Sequence, residues 1–296
     1  MRTKLPLVSV IMPVYNGSCF VEKAIESILN QTYERFEFII IDDASTDSTW
    51  GILERFARRD KRVRLLQNDR RVGISESMKK AIRKARGSFL ARMDADDIAY
   101  TRRLKKQVAY LTRHPETVAV GGQCAVVNEK GTIIGRKTFP TQYQDVYRYI
   151  FRLVPLQQPT LMINRRRLPK TFSFYVDGQD TAEELELLFK LFRYGKVENL
   201  SDTVLKYRLH EHNTSLQSIK KTFRQTVQSR FKAVTRHGYQ PSLAGVAVTL
   251  LEALLVSILP EAILRELFFY LRGLKRVRLP KIRLPARLPR LPLAYR

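Results

Sequence analysis

Asp94, Asp96 and Asp97 fall inside one four-residue window, directly after an apolar run at residues 89–93. Three carboxylates this close repel one another unless a cation or a cationic partner lies among them, and an oxygen-only set suits Mg²⁺ or Mn²⁺. One or two carboxylates leave most of the coordination shell open, and phosphate oxygens of a nucleotide fill it well. A plainer use competes: Asp97 precedes a stretch with helical spacing, and acids are favoured at helix N-termini. Asp42 and Asp43 end another apolar run, 36–41. They either cap the helix that starts near Ser48, a task for which Ser45 and Asp47 are better placed, or offer acceptors to a nucleobase imide or a ribose hydroxyl.

These acids need elements that hold them. Residues 8–14 are a nearly continuous apolar run of strand length, followed by further strand signals at 36–41, 63–66 and 89–93. Between them, 20–29, 50–58 and 75–85 carry apolar residues at helical spacing, the last with a basic outer face. Strands this apolar, joined by helices, predict a parallel sheet covered on both faces. Such sheets bind ligands at the carboxyl ends of their strands. Pro13-Val14-Tyr15-Asn16 follows the first strand, Asp42-Asp43 the second and Asp94-Ala95-Asp96-Asp97 the fourth, so both acidic clusters share one edge. The segment from 118–122 to about Arg208 mixes strands with one strong helix, 181–192, and continues the same domain, residues 1–218.

Composition bounds the rest. The chain has 296 residues, 44% of them hydrophobic, with 53 Lys+Arg against 28 Asp+Glu and a net charge of +25. This excludes a disordered chain, a collagen and a disulfide scaffold. Cys19 and Cys124 read as plain buried thiols. The first apolar run contains Pro13 and ends in Asn16-Gly17, a strand entering a turn rather than a signal peptide, which places the protein in the cytosol or peripherally at the inner membrane face. Residues 219–237 read as a basic helix, and 243–271 is the most hydrophobic part of the chain. Within it, 243–259 is interrupted by Glu252 and ended by Pro260, shorter than the roughly 20 apolar residues of a spanning helix. Apolar residues resume at 262–271, and 272–296 is a tail with nine Lys/Arg and no acid, repeating Arg-Leu-Pro. Region 219–271 then reads as a helical extension whose apolar part lies against an anionic membrane surface, with tail arginines on the lipid; docking on the catalytic domain is the other reading. No nucleic-acid partner is expected, because neither an aromatic-basic platform nor a recognition helix is present.

Pro13-Val14-Tyr15-Asn16, residues 24–33 (Ala-Ile-Glu-Ser-Ile-Leu-Asn-Gln-Thr-Tyr), Ile41-Asp42-Asp43-Ala44-Ser45-Thr46-Asp47 and Ala91-Arg92-Met93-Asp94-Ala95-Asp96-Asp97, then Arg103-Leu104 and Gln107, resemble family 2 glycosyltransferases in order and interval. The resemblance runs from about residue 7 to 215. It implies the GT-A fold, an α/β, Rossmann-like nucleotide-diphospho-sugar domain built on a mostly parallel sheet with helices on both faces. It also implies roles. Pro13, Tyr15 and Asp43, with Asn16 and Asp42 beside them, would hold the nucleobase, and Arg92 and Ala95 would complete the donor cleft; Arg71, a departure from the family's pattern, would add positive charge to it. Asp94 would contact ribose and metal and Asp96 would ligate Mn²⁺ or Mg²⁺, which neutralises the departing diphosphate.

The stretch 178–187, with Glu183-Glu184, resembles the family's acidic pair that opens a helix; Glu184 would be the general base, with Glu183 beside it, although both acids also favour a helix N-terminus by its dipole. The family usually has Glu-Asp here, so the extra methylene alters the reach of the base. In the segment 207–215 the resemblance places His210 at the diphosphate or metal. Arg71-Val72-Gly73 stands where Asn-x-Gly is common, Lys79 where asparagine is common, and Gln158-Pro159-Thr160 where His-Pro-Thr is common.

The implied activity is inverting transfer from a UDP- or dTDP-sugar to a hydroxyl of a glycan or lipid-linked acceptor, in polysaccharide or lipopolysaccharide-type biosynthesis. Asp43 is suited to accept the imide proton of uracil or thymine. No carboxylate offers itself as the nucleophile of a double displacement. A catalytically inactive scaffold and a basic nucleic-acid binder are the alternatives, and intact Asp94, Asp96 and Glu184 argue against the scaffold.

Overall fold

The computed structural model describes residues 5–175, 183–210, 219–261 and 263–264. Its first half is a run of strand–helix units: β1 (Val8–Val14), α1 (Val21–Leu29), β2 (Phe36–Asp42), α2 (Thr49–Arg59), β3 (Val63–Gln67), α3 (Ile74–Lys84) and β4 (Phe89–Arg92). β1 pairs in parallel with β2 and β4, and β2 with β3. β2 is buried along its whole length, which is why its sequence shows no polar alternation. Alternate side chains still go to opposite faces. Val10, Met12, Phe38 and Ile40 join one core with Ile25 and Leu104, while Ile11, Ile39 and Ile41 join the other with Met78 and Leu188. Burying each such side chain contributes about 1.5–3 kcal/mol.

Beyond β4 come β5 (Ile98–Ala99), α4 (Arg103–Arg113), β6 (Thr117–Val127), β7 (Ile133–Lys137), α5 (Tyr143–Tyr149), β8 (Met162–Asn164), α6 (Glu183–Leu191) and β9 (Lys196–Arg208). The sheet runs β3-β2-β1-β4-β8-β6-β9-β5, with β7 on the edge of β6. β8 is antiparallel to both β4 and β6, whereas β6 and β9 are parallel. The parallel order expected from the sequence therefore holds for β1–β4, and the sheet is mixed beyond it, because regular strand–helix alternation, which enforces parallel crossovers, stops there.

α7 (Ile219–His237) and α8 (Leu243–Ile258) follow. α7 is fastened by Arg230, 3% exposed, whose guanidinium donates to Glu252 at 2.7 Å, to the Thr249 hydroxyl at 2.9 Å and to the Arg152 carbonyl at 2.9 Å. Tyr239 donates to the Tyr147 carbonyl at 2.6 Å and stacks on Phe151 with ring centroids 5.3 Å apart. Among the described residues no helix is long and apolar enough to cross a membrane. Of the second apolar segment, 262–271, only residues 263 and 264 are described, and the tail 272–296 lies outside the described residues. The cysteines are both free. Cys124 is buried, its thiol pushed up to about 12 by desolvation, but Cys19 is exposed, contrary to expectation, because it sits in the loop between β1 and α1.

Candidate active site

The loops at the carboxyl ends of β1 and β2 are laced together. Asp42, fully buried, accepts from the Ser45 hydroxyl at 2.5 Å and the Ser45 amide at 3.1 Å, and from Gln67 at 3.3 Å. Ser45 Oγ in turn accepts the Asn16 amide at 2.9 Å, and Asn16 Oδ1 accepts the Thr46 amide at 2.8 Å. Asn16 (φ 49°) and Ala44 (φ 58°) are held in the left-handed region, which costs a non-glycine residue about 1–2 kcal/mol and is sustained here by that lattice. Gly17 permits the close approach: a Cβ there would meet Val14 Cγ2 at 2.7 Å. Asp47 accepts the amides of Ser18 and Thr49; burial raises its carboxyl, but these and the hydroxyl bonds outweigh it and hold it at about 2. Asp47, rather than Asp42 or Asp43, thus serves the start of α2.

Asp43 faces the neighbouring loop. Its Oδ1 accepts Asn68 Nδ2 at 2.8 Å and the Val72 amide at 2.9 Å, and its Oδ2 accepts the Gly73 amide at 2.8 Å. Gly73, at φ 89°, begins α3 in a conformation that glycine adopts without strain. The loop so held presents Arg71, whose guanidinium lies 4.1 Å from the centre of the Tyr15 ring. Two residues expected at the donor cleft are therefore brought into contact, and Pro13, half-buried, is the next-to-last residue of β1.

The acidic cluster sits on the same edge. β1 and β4 pair in register up to Ile11 and Arg92, and the Met93 amide donates to the Ile11 carbonyl at 2.9 Å. Arg92, buried, donates to Asp94 at 2.9 Å and to the Tyr175 hydroxyl at 3.2 Å. Burial pushes the Asp94 carboxyl up, opposed by Arg92 and assisted by Asp96. Asp96 Oδ2 lies 2.8 Å from His210 Nε2. Asp97 caps no helix: α4 starts only at Arg103, and Asp97 is fully buried with Oδ1 accepting the Arg208 amide at 2.9 Å. Its carboxyl is pushed well up by burial and by the charges of Asp96 and Asp94.

Asp96 and His210 fit a divalent cation. In an octahedral shell with bonds of about 2.1 Å, adjacent ligand atoms are about 3 Å apart, close to the separation present. Among the described residues no cluster of three or more His, Cys, Asp or Glu forms a cage by itself, so a phosphate-bearing ligand and water would complete the shell. Asp94 and Ala95, between Arg92 and Asp96 in the chain, are half-buried like Asp96.

Glu183 and Glu184 open α6. Glu184 is half-buried; the carboxylate of Glu183, and residues 178–182 before it, lie outside the described residues. Leu187, one turn beyond Glu184, lines a cavity of about 20 Å³ together with Arg92, Gln158 and Tyr175, so α6 begins near the end of β4.

Arg208 lies in the segment 207–215, where the resemblance gives a role only to His210, and the fold gives Arg208 one as well. It is 1% exposed and donates to the carbonyls of Asp96 (2.8 Å), Asn128 (3.1 Å) and Glu129 (2.6 Å) while lying over the Phe20 ring. Its signal was the two-residue step to His210, which puts both side chains on one face of an extended segment. Arg103 and Gln107 act similarly from α4: Arg103 donates to the Arg92 carbonyl at 2.6 Å, and Gln107 to those of Thr160 and Val120. Arg208→Met should destabilise the protein by about 3 kcal/mol, since buried carbonyls lose charged donors. The fall in Tm would be on the order of 5–10 °C, and a melting curve unchanged from wild type would show that Arg208 is not the brace.

A sequence profile described as "Glycosyl transferase family 2" matches residues 9–172. An uncharacterized glycosyltransferase of Haemophilus influenzae is 32% identical over 218 residues, 71% of this chain and 68% of that protein. WfaP of Escherichia coli, named a UDP-Glc:alpha-D-GlcNAc-diphosphoundecaprenol beta-1,3-glucosyltransferase, is 29% identical over 75% of this chain and 85% of its own. Among solved structures, the mannosyltransferase PcManGT of Pyrobaculum calidifontis, in complex with GDP-Man and Mn²⁺, superposes with a TM-score of 0.59 at 19% identity, covering 91% of this chain and 86% of that one. TarS of S. aureus superposes with a TM-score of 0.57 at 20% identity over 78% of this chain, which spans 41% of TarS. With its glycosyltransferase relatives and its sheet edge of paired acids, this chain is an enzyme of the GT-A fold and belongs to glycosyl transferase family 2.

Proposed function

We propose that the protein transfers a sugar, with inversion, from a UDP- or dTDP-sugar to a hydroxyl of a glycan or lipid-linked acceptor in cell-surface polysaccharide or lipopolysaccharide-type biosynthesis. The observation that carries this is the meeting of Asp94, the Asp96–His210 pair and the Tyr15–Arg71 stack on one sheet edge. The base and ribose belong at Pro13, Tyr15, Asn16, Asp42 and Asp43, where Oδ2 of Asp43 accepts the Gly73 amide and, with two lone pairs, has capacity for an imide proton as well. Arg71 and Arg92 bring positive charge toward the diphosphate. Mn²⁺ or Mg²⁺ bound by Asp96 and His210, with Asp94 beside them, would supply Lewis-acid stabilisation of the leaving diphosphate.

Glu184 takes the proton of the acceptor hydroxyl as its oxygen attacks the anomeric carbon, and the nucleoside diphosphate departs from the opposite side. A single displacement inverts that centre. The lipid-linked acceptor named for WfaP and the Mn²⁺ complex of PcManGT support this choice of acceptor and metal. In this reading residues 1–218 are the catalytic domain, 219–271 a membrane-associating helical region and 272–296 a basic tail, and the work is done at the cytoplasmic membrane face.

The deciding experiment measures binding and hydrolysis of a panel of nucleotide sugars with Mn²⁺, with Mg²⁺ and with chelator. One uridine or thymidine donor should be preferred and its turnover lost on chelation. Failure of every donor to bind under every condition would refute the proposal.

A further inference from the structure

α8 is apolar almost throughout, yet among the described residues only one side of it is packed. Gly245 approaches Phe151, Thr249 hydrogen-bonds to Gly245 and receives Arg230, and Glu252, which interrupts the apolar run, is turned inward onto the same arginine. The opposite side is bare: Leu243 is 91% exposed, Leu250 66%, Leu254 56% and Ile258 68%. Steps of seven, four and four residues align these four along the helix, and Val246 and Leu251 widen the stripe to about 140°. α7 adds Phe231 and Val234, 70% and 41% exposed, one and four positions from Arg230 and so flanking the side that meets α8. Proteins whose final surface is water rarely leave so much contiguous apolar area open.

We propose that this outer face of α8, together with the exposed Phe231 and Val234 of α7, docks on an anionic lipid bilayer, the helix lying in the plane of the interface. The inference deepens the membrane-face reading above by naming the surface and its orientation, and it is independent of the chemistry at the sheet edge. Length supports it: 16 residues rise about 24 Å, short of a hydrocarbon core of about 30 Å.

Charge selects lipid over protein. α7 carries five Lys/Arg besides the buried Arg230 and no acid, and residues 272–296 carry nine and none. Each basic side chain near an anionic leaflet contributes on the order of 1 kcal/mol, added to the burial of the leucines. A second copy meeting this face would bring the same positive α7 against its twin, and like charges oppose that pairing. The inward turn of Glu252 removes the one acid of α8 from the lipid side.

The test uses the full chain and sedimentation with vesicles of phosphatidylcholine alone or enriched in phosphatidylglycerol. Wild type should bind the anionic vesicles and bind neutral ones weakly. The double variant Leu250→Glu/Leu254→Glu, and separately Phe231→Ser, should bind anionic vesicles less well, the double variant by about tenfold or more, with melting temperature and donor hydrolysis in solution unchanged. Equal vesicle binding by wild type and double variant would overturn the proposal in favour of the basic segments alone. Absence of vesicle binding would also overturn it; in that case light scattering would assign the face to self-association if wild type is dimeric and the double variant monomeric, and to covering by the chain itself if both are monomeric. Donor hydrolysis lost while vesicle binding persists would count against the sugar-transfer reading only.

Discussion

Asp96→Ala should lower metal-dependent donor turnover by about 10³-fold, equivalent to about 4 kcal/mol of transition-state stabilisation, while leaving the fold intact. The asymmetry comes from how the residue is held. Its side chain is half-buried and meets His210, whereas the brace from Arg208 lands on its backbone carbonyl, which alanine retains. Removing the carboxylate deletes the anion of the Asp96–His210 pair, and Asp94, already engaged by Arg92, is poorly disposed to replace it. Titrating Mn²⁺ into wild type and variant while following donor hydrolysis measures the effect, and the melting temperature monitors the fold. Turnover and Mn²⁺ affinity both equal to wild type would remove Asp96 from the ligand set.

Glu184→Gln should reduce sugar transfer to acceptor by roughly 10²–10⁴-fold, the range of general-base contributions, with donor affinity unchanged. Glutamine keeps the size and the hydrogen-bonding reach of glutamate but cannot take a proton. Transfer should fall while donor binding and metal-dependent donor hydrolysis persist, a split that loss of packing alone would not produce. Glu184→Asp shortens the side chain to the length that the family resemblance leads one to expect, so it separates chemistry from reach. Retention of rate within about tenfold would mean that the helix can bring either carboxylate to the hydroxyl. Undiminished transfer by Glu184→Gln would move the base elsewhere.

Much of the frame was legible before any coordinates. The runs at 8–14, 36–41, 63–66 and 89–93 became β1–β4 within a residue or two, because buried parallel strands must be apolar on both faces and that pattern is local. The acidic groups fell at carboxyl ends, where helical crossovers place a crevice. Motif order then identified the family, which the profile over residues 9–172 supports independently. The helix expected at 181–192 is α6, and those expected at 219–237 and from 243 are α7 and α8.

Other features depend on partners far along the chain. Asp97 has the look of a helix cap when only its next few neighbours are read, yet it is buried against the Arg208 amide 111 positions away, and Asp96 meets His210 at a separation of 114. Asp43 spends three acceptor positions on the 68–73 loop, and the contact of that loop's Arg71 with Tyr15 follows from the pairing of β1, β2 and β3 rather than from spacing. The sequence alone determined the strands, the helices, the sheet edge and the chemical class of the residues on it, because apolar periodicity and motif order act over a few residues or along one chain. Tertiary structure alone decided which carboxylates stay half-exposed and which are interior, that Arg208 braces the acidic loop, that the sheet turns mixed beyond β4, and that Glu252 turns inward while the leucines of α8 face out. Those outcomes depend on competition among distant polar groups for burial and partners, and no local pattern records who wins.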